Sequence, residues 1–138
     1  MKLLTTLVFG LMTSVAMADA PVAVTNLTAA LKQAKADGKM LFVLSGRENC
    51  GNCQALKGLI SSGKLSLPAK EFVYADVDWD DEKEGELFET KFKVSGNMLP
   101  FVVVASADGK QLTARSGYGT QKDFEKLLAA AQAAAKAK

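Results

Sequence analysis

Cys50 and Cys53 are the two cysteines of this 138-residue chain, and only two residues separate them. They lie in Arg47-Glu48-Asn49-Cys50-Gly51-Asn52-Cys53-Gln54-Ala55-Leu56-Lys57. An apolar run, Met40-Leu41-Phe42-Val43-Leu44, precedes them, and Leu56, Leu59 and Ile60 follow at helical spacing. A strand, a tight loop and a helix opening on Cys50 would place that thiol at the positive end of the helix dipole. The dipole and the unpaired N–H groups there both favour a thiolate. Cys53, one turn further on, is close enough to attack a mixed disulfide formed at Cys50. The chemistry that suits this geometry is thiol–disulfide exchange, with Cys50 as nucleophile and Cys53 as resolver.

Other uses of the pair are weaker. As a staple the bridge would close a loop of four residues, worth about 2 kcal/mol of chain entropy against about 4.7 for a 100-residue loop. A structural zinc site needs four ligands, and the chain has no histidine and no third cysteine. No metal site is therefore assigned. Two thiolates with one thioether do satisfy Cu(I), and Met98 is the candidate thioether. A copper or thiol chaperone is thus one alternative, and an interaction module with an idle dithiol is another.

The elements that must hold the pair are legible on both sides. Ala20 to Val24 reads as a short leading strand or arm. Asn26 or Thr25 caps a helix with Leu27, Ala30, Leu31 and Ala34 on its inner side, and Gly38 ends it. After the cysteine helix, in which Gly58 is a potential bend, Phe72 to Val77 forms a second core strand. The acidic stretch from Asp76 to Glu89 reads as the solvated side of a helix over 82–92 with Leu87, Phe88 and Phe92 inward. Trp79 is a half-buried cap over the sheet. Pro100 stands directly before a strand, Phe101 to Ala105, and Asp108-Gly109 marks a hairpin returning through Gln111 to Arg115. Thr120 caps a last helix with Phe124, Leu127, Leu128 and Ala131 inward, and the tail beyond Gln132 is expected to fray. This order predicts an α/β domain: a mixed sheet of four to five strands with helices on both faces, parallel in its first half and antiparallel in its second.

Residues 1–18 read as a cleaved secretory signal: Lys2, an apolar centre, then Ala16-Met17-Ala18. The apolar part is shorter than the roughly 20 residues of a spanning helix, so the mature form is not expected to span a membrane. Residues 19–138 make one domain with one core. Loss of Lys2 leaves 16 basic against 15 acidic side chains, which offers no field for nucleic acid or an anionic surface.

In the order Cys50-Gly51-Asn52-Cys53 after a strand, Pro100 before another, Asp108-Gly109 in a hairpin and Gly117 before the last helix, the chain resembles thioredoxin-fold proteins over nearly its whole length. Ala34-Lys35-Ala36-Asp37-Gly38-Lys39 before the first core strand is most similar to the exported thioredoxin-like branch that includes the periplasmic domain of a bacterial membrane electron conductor. The resemblance implies an exported thiol–disulfide oxidoreductase with no cofactor beyond a redox-active Cys50–Cys53 disulfide. Its expected location is the periplasm. The expected partners are protein disulfides or thiols and a membrane or periplasmic electron-transfer protein, and the expected state is a monomer. Cys50 would be the exposed nucleophile, Cys53 the buried resolver and Pro100 a cis-proline facing them. Leu99, Pro100, Gly51 and Asn52 would bind substrate, the Leu99 backbone pairing with a substrate strand. Three positions depart from thioredoxin itself: Asn49 replaces a Trp, Asn52 replaces a Pro, and Leu44 replaces a buried aspartate that relays a proton to or from the buried thiol. Glu48 or water would have to replace that relay. The loop from Val94 to Pro100 is also about two residues longer than in thioredoxin.

Overall fold

The computed structural model describes residues 19–137, so the signal segment expected over 1–18 lies outside the described residues. Its elements run β1 (Ala23–Val24), α1 (Leu27–Asp37), β2 (Met40–Gly46), α2 (Gly51–Ser61), β3 (Phe72–Asp78), α3 (Glu82–Lys91), β4 (Phe101–Ala105), β5 (Gln111–Ser116) and α4 (Gln121–Lys136). They build one five-stranded sheet in the order β1-β3-β2-β4-β5. β3 pairs in parallel with β1 and β2, whereas β4 pairs antiparallel with β2 and β5. Apolar β2, its residues from Leu41 to Gly46 all buried, is the central strand.

Period-two alternation distributes the core over both faces. Phe42, Leu44, Phe72, Tyr74, Val102 and Val104 pack with Leu56 and Ile60 of α2 and Phe124 and Leu128 of α4. Leu41, Val43, Val73, Ala75, Val77 and Val103 pack with Leu27 and Ala30 of α1 and Phe88 of α3. Each large apolar side chain withdrawn from water contributes about 1.5–3 kcal/mol against the entropy of ordering the chain.

Local chemistry sets the helix ends. The Asn26 side chain accepts from the Ala29 N–H at 2.8 Å, and Gly38 closes α1 at φ 64°, the left-handed conformation that glycine adopts without penalty. The Asp81 carboxylate accepts from the N–H groups of Lys83 and Glu84. Glu84 is not simply part of a solvated face. Its carboxylate accepts from the Leu27 N–H at 2.8 Å and from Asn26 Nδ2 at 3.0 Å, which joins the starts of α3 and α1. Gly109, at φ 80°, closes the hairpin by donating its N–H to the Ser106 carbonyl at 2.8 Å.

One boundary differs from the sequence expectation. Residues 133–136, expected to fray, are helical: α4 continues to Lys136, with Ala134 and Ala135 half-buried. Alanine has the best intrinsic helix propensity, and Lys136 adds a favourable charge at the C-terminal end of the dipole.

Candidate active site

Cys50 and Cys53 are joined in a disulfide, their Cα atoms 5.2 Å apart. Cys50 is the N-cap of α2, and its Sγ accepts a hydrogen bond from the Cys53 N–H at 3.1 Å. That donor is one of the N–H groups a helix start leaves without an intrahelical partner. Cys50 is partly exposed and Cys53 is fully buried, so the two sulfurs are inequivalent. Gly51 and Asn52 are exposed on the first turn between them.

Buried Cys53 fits because of Gly46. A Cβ at position 46 would stand 2.6 Å from Cys53 Sγ, closer than packed atoms approach. Leu44, fully buried, lies on the same face of β2 and packs with Leu56 and Ile60 of α2. No carboxylate is present at that position.

The second half of the site arrives through sheet register. Ser45 near the end of β2 pairs with Phe101, the first residue of β4, and Phe101 pairs on its other side with Ser116, the last residue of β5. The loop before β4 therefore sits at the end of the sheet from which the chain leaves β2 towards Cys50. The Leu99–Pro100 peptide bond is cis, Pro100 is buried and Leu99 half-buried. The Pro100 carbonyl accepts from the Gly117 N–H at 3.0 Å. Among the described residues, the Leu99 N–H and C=O take no backbone partner. Met98 is 59% exposed, which leaves its thioether in solvent. Beside Leu99 opens a cavity of about 680 Å³ walled by Trp79, Phe88, Phe92, Phe101 and Arg47. Trp79 is half-buried there, its ring 5.0 Å from that of Phe101.

Glu48 is exposed, and its backbone carbonyl accepts from Gln54 Nε2 at 3.0 Å. It shares a cavity of about 220 Å³ with Gly46, Lys57 and Asp76. Lys57 and Asp76 form an ion pair at 2.9 Å, with both side chains mostly covered. Sequence reasoning missed this pair. Two signals pointed to it: Lys57 follows Cys53 by four residues, one helical turn, and Asp76 interrupts the apolar run of β3. In the sheet Asp76 pairs with Leu44, so a charge stands beside the position where the aspartate is missing. Burial raises the pKa of the neighbouring Tyr74 phenol, and the Asp76 charge raises it further.

A mixed five-stranded sheet covered on both faces by helices, with a disulfide of Cys-x-x-Cys spacing at a helix N-terminus, defines a thioredoxin fold. The family described as thioredoxin-like domain matches residues 27–132, and the chain belongs to that family. Among solved structures, the chain is similar to a mutant thioredoxin from Halobacterium salinarum NRC-1. The two are 21% identical with a TM-score of 0.58, over 83% of this chain and 92% of that one. It is similar to the short form of thioredoxin f from spinach chloroplast at 19% identity and a TM-score of 0.60, over 85% and 96% of the two chains. A thioredoxin-like protein from Clostridium perfringens matches at 18% identity and a TM-score of 0.58, over 86% of each chain. A search of the curated proteins found no match.

Proposed function

We propose that this protein is an exported thiol–disulfide oxidoreductase that reduces disulfides of other proteins. The observation that carries the reading is the inequivalence of the two sulfurs. Cys50 is accessible and hydrogen-bonded at a helix start, and Cys53 is buried behind it. In the reduced protein the Cys50 thiolate attacks one sulfur of a substrate disulfide, and the other substrate sulfur leaves and takes up a proton. Cys53 then loses its proton and attacks Cys50 Sγ, and the second substrate thiol departs. Two electrons pass to the substrate, and the protein is left with the Cys50–Cys53 disulfide.

The buried Cys53 proton needs an exit. Gly46, which lies against Cys53 Sγ, also lines a cavity with Glu48 and the Lys57–Asp76 pair, and these groups are the candidate route for that proton. A substrate strand pairing with the free Leu99 backbone would cross above Cys50, with its apolar side chains over the cavity walled by Trp79 and Phe101. Reductant use requires a dithiol donor in the same compartment, and a membrane or periplasmic electron-transfer protein fills that place. Export to the periplasm rests on residues 1–18.

The test is insulin reduction by the mature protein with a dithiol donor, beside a Cu(I) titration of the reduced form. Turnover that is lost in Cys50→Ser supports the reading. Stoichiometric copper binding without turnover transfers the assignment to a chaperone. The reduction potential then gives the direction, since thioredoxin-fold relatives span about −270 to −120 mV.

A further inference from the structure

We propose that Ser116 is a positioning residue for substrate docking, holding the loop before β4 so that the Leu99 backbone faces an incoming strand. The inference rests on the reading of Cys50–Cys53 as a dithiol that acts on protein disulfides. It starts from one hydroxyl with two partners. Ser116 Oγ donates to the Met98 carbonyl at 2.8 Å and accepts from the Met98 N–H at 3.1 Å. Both polar groups of one loop residue are thereby satisfied by a side chain at the end of a sheet strand.

Two further contacts make this an anchorage rather than a surface bond. Gly96 lies against Ser116 so closely that a Cβ there would stand 2.6 Å from both Ser116 Cβ and Oγ, and its φ of 119° excludes a side chain as well. On the other side of Leu99, Gly117 next to Ser116 donates its N–H to the Pro100 carbonyl at 3.0 Å. Met98 and Pro100 are thus both tied to the end of β5. Leu99 between them is held from both sides, and its N–H and C=O take no backbone partner among the described residues. A pairing edge fixed in advance does not have to be ordered when a strand binds. The effect of Ser116 passes through Met98 to Leu99.

A disulfide without a peptide backbone has nothing to pair with the Leu99 edge, whereas a protein strand does. The test is therefore Ser116→Ala, assayed with insulin and with bis(2-hydroxyethyl) disulfide, together with hydrogen exchange at the Met98 amide. Loss of two hydrogen bonds predicts a KM for insulin raised roughly three- to thirtyfold with kcat retained. The rate with bis(2-hydroxyethyl) disulfide should stay within about twofold of the wild type, because that substrate has no backbone N–H or C=O to pair with the Leu99 edge. The Met98 amide should exchange at least about tenfold faster than in the wild type, since its acceptor is gone. An unchanged KM for insulin overturns the inference, and so does an equal loss with both substrates, which would report general damage to the dithiol. A wild-type protein that reduces no protein disulfide defeats the oxidoreductase reading and the docking role with it. That result is distinguishable from a wild type that turns over and a Ser116→Ala variant that matches it.

Discussion

Cys50 Sγ accepts the Cys53 N–H at the start of α2 in the disulfide, and once the pair is reduced the same donor would face a Cys50 thiolate. In reduced Cys53→Ser protein, the midpoint of Cys50 alkylation against pH should lie below the free-cysteine value of about 8.5. A midpoint at or above that value would remove the nucleophile assignment. Gly46→Ala places a methyl 2.6 Å from Cys53 Sγ. Overpacking of this kind costs about 1–3 kcal/mol, to be read from urea denaturation of the oxidised protein. The Lys57–Asp76 pair has a kinetic signature. Asp76→Asn should slow the resolution of a preformed Cys50 mixed disulfide by about tenfold near neutral pH and leave its formation unchanged, as expected for loss of one proton-transfer group. Single-turnover traces with both steps unchanged would assign the proton to water or to Glu48.

The helices owe their placement to caps as much as to their apolar faces. At the start of α4, Thr120 Oγ1 accepts from the Asp123 N–H at 3.3 Å, and the Asp123 carboxylate accepts from the Thr120 N–H at 2.7 Å. Thr120→Ala should cost about 1 kcal/mol in chemical denaturation. The hydrogen bonds from the Thr120 backbone and hydroxyl hold the Asp123 carboxyl below its ordinary pKa, with smaller help from Arg115 and Lys126. A carboxylate lowered on folding stabilises the protein above its unfolded pKa, and this is lost as pH falls through the folded pKa. Asp123→Asn should therefore flatten the acid limb of stability against pH without creating a new transition near neutrality. The outcome is checked by thermal melts from pH 2 to 7, a range of about 5 units spanning the carboxylate titration.

Two cores, one on each face of the sheet, hold the molecule together, and the disulfide lies at one edge of the first. Reduction should therefore leave the fold intact. The four-residue loop it opens is worth about 2 kcal/mol at most, so far-UV dichroism should be unchanged and the urea midpoint lowered only slightly. Collapse of the fold on reduction would make the bridge a structural staple and end the redox-cycle reading.

Much of this architecture follows from local pattern. The apolar runs of β2, β3 and β4, the helical spacing in α1 and α4, the caps at Asn26 and Thr120 and the Cys-x-x-Cys spacing are each set within a few neighbouring residues. Composition settled the length of α4 less well, because a frayed and a docked alanine tail read alike until Ala134 and Ala135 are found half-buried. The remaining features depend on strand order and register. Tertiary structure alone brings Asp76 to Lys57, Glu84 to the start of α1, Gly46 against Cys53 and Ser116 onto Met98. Hydrophobic periodicity tells a side chain which face it occupies, but not which distant residue shares that face. That partner is fixed only when strands pair in one register, since a slip of one residue sends every side chain to the opposite side.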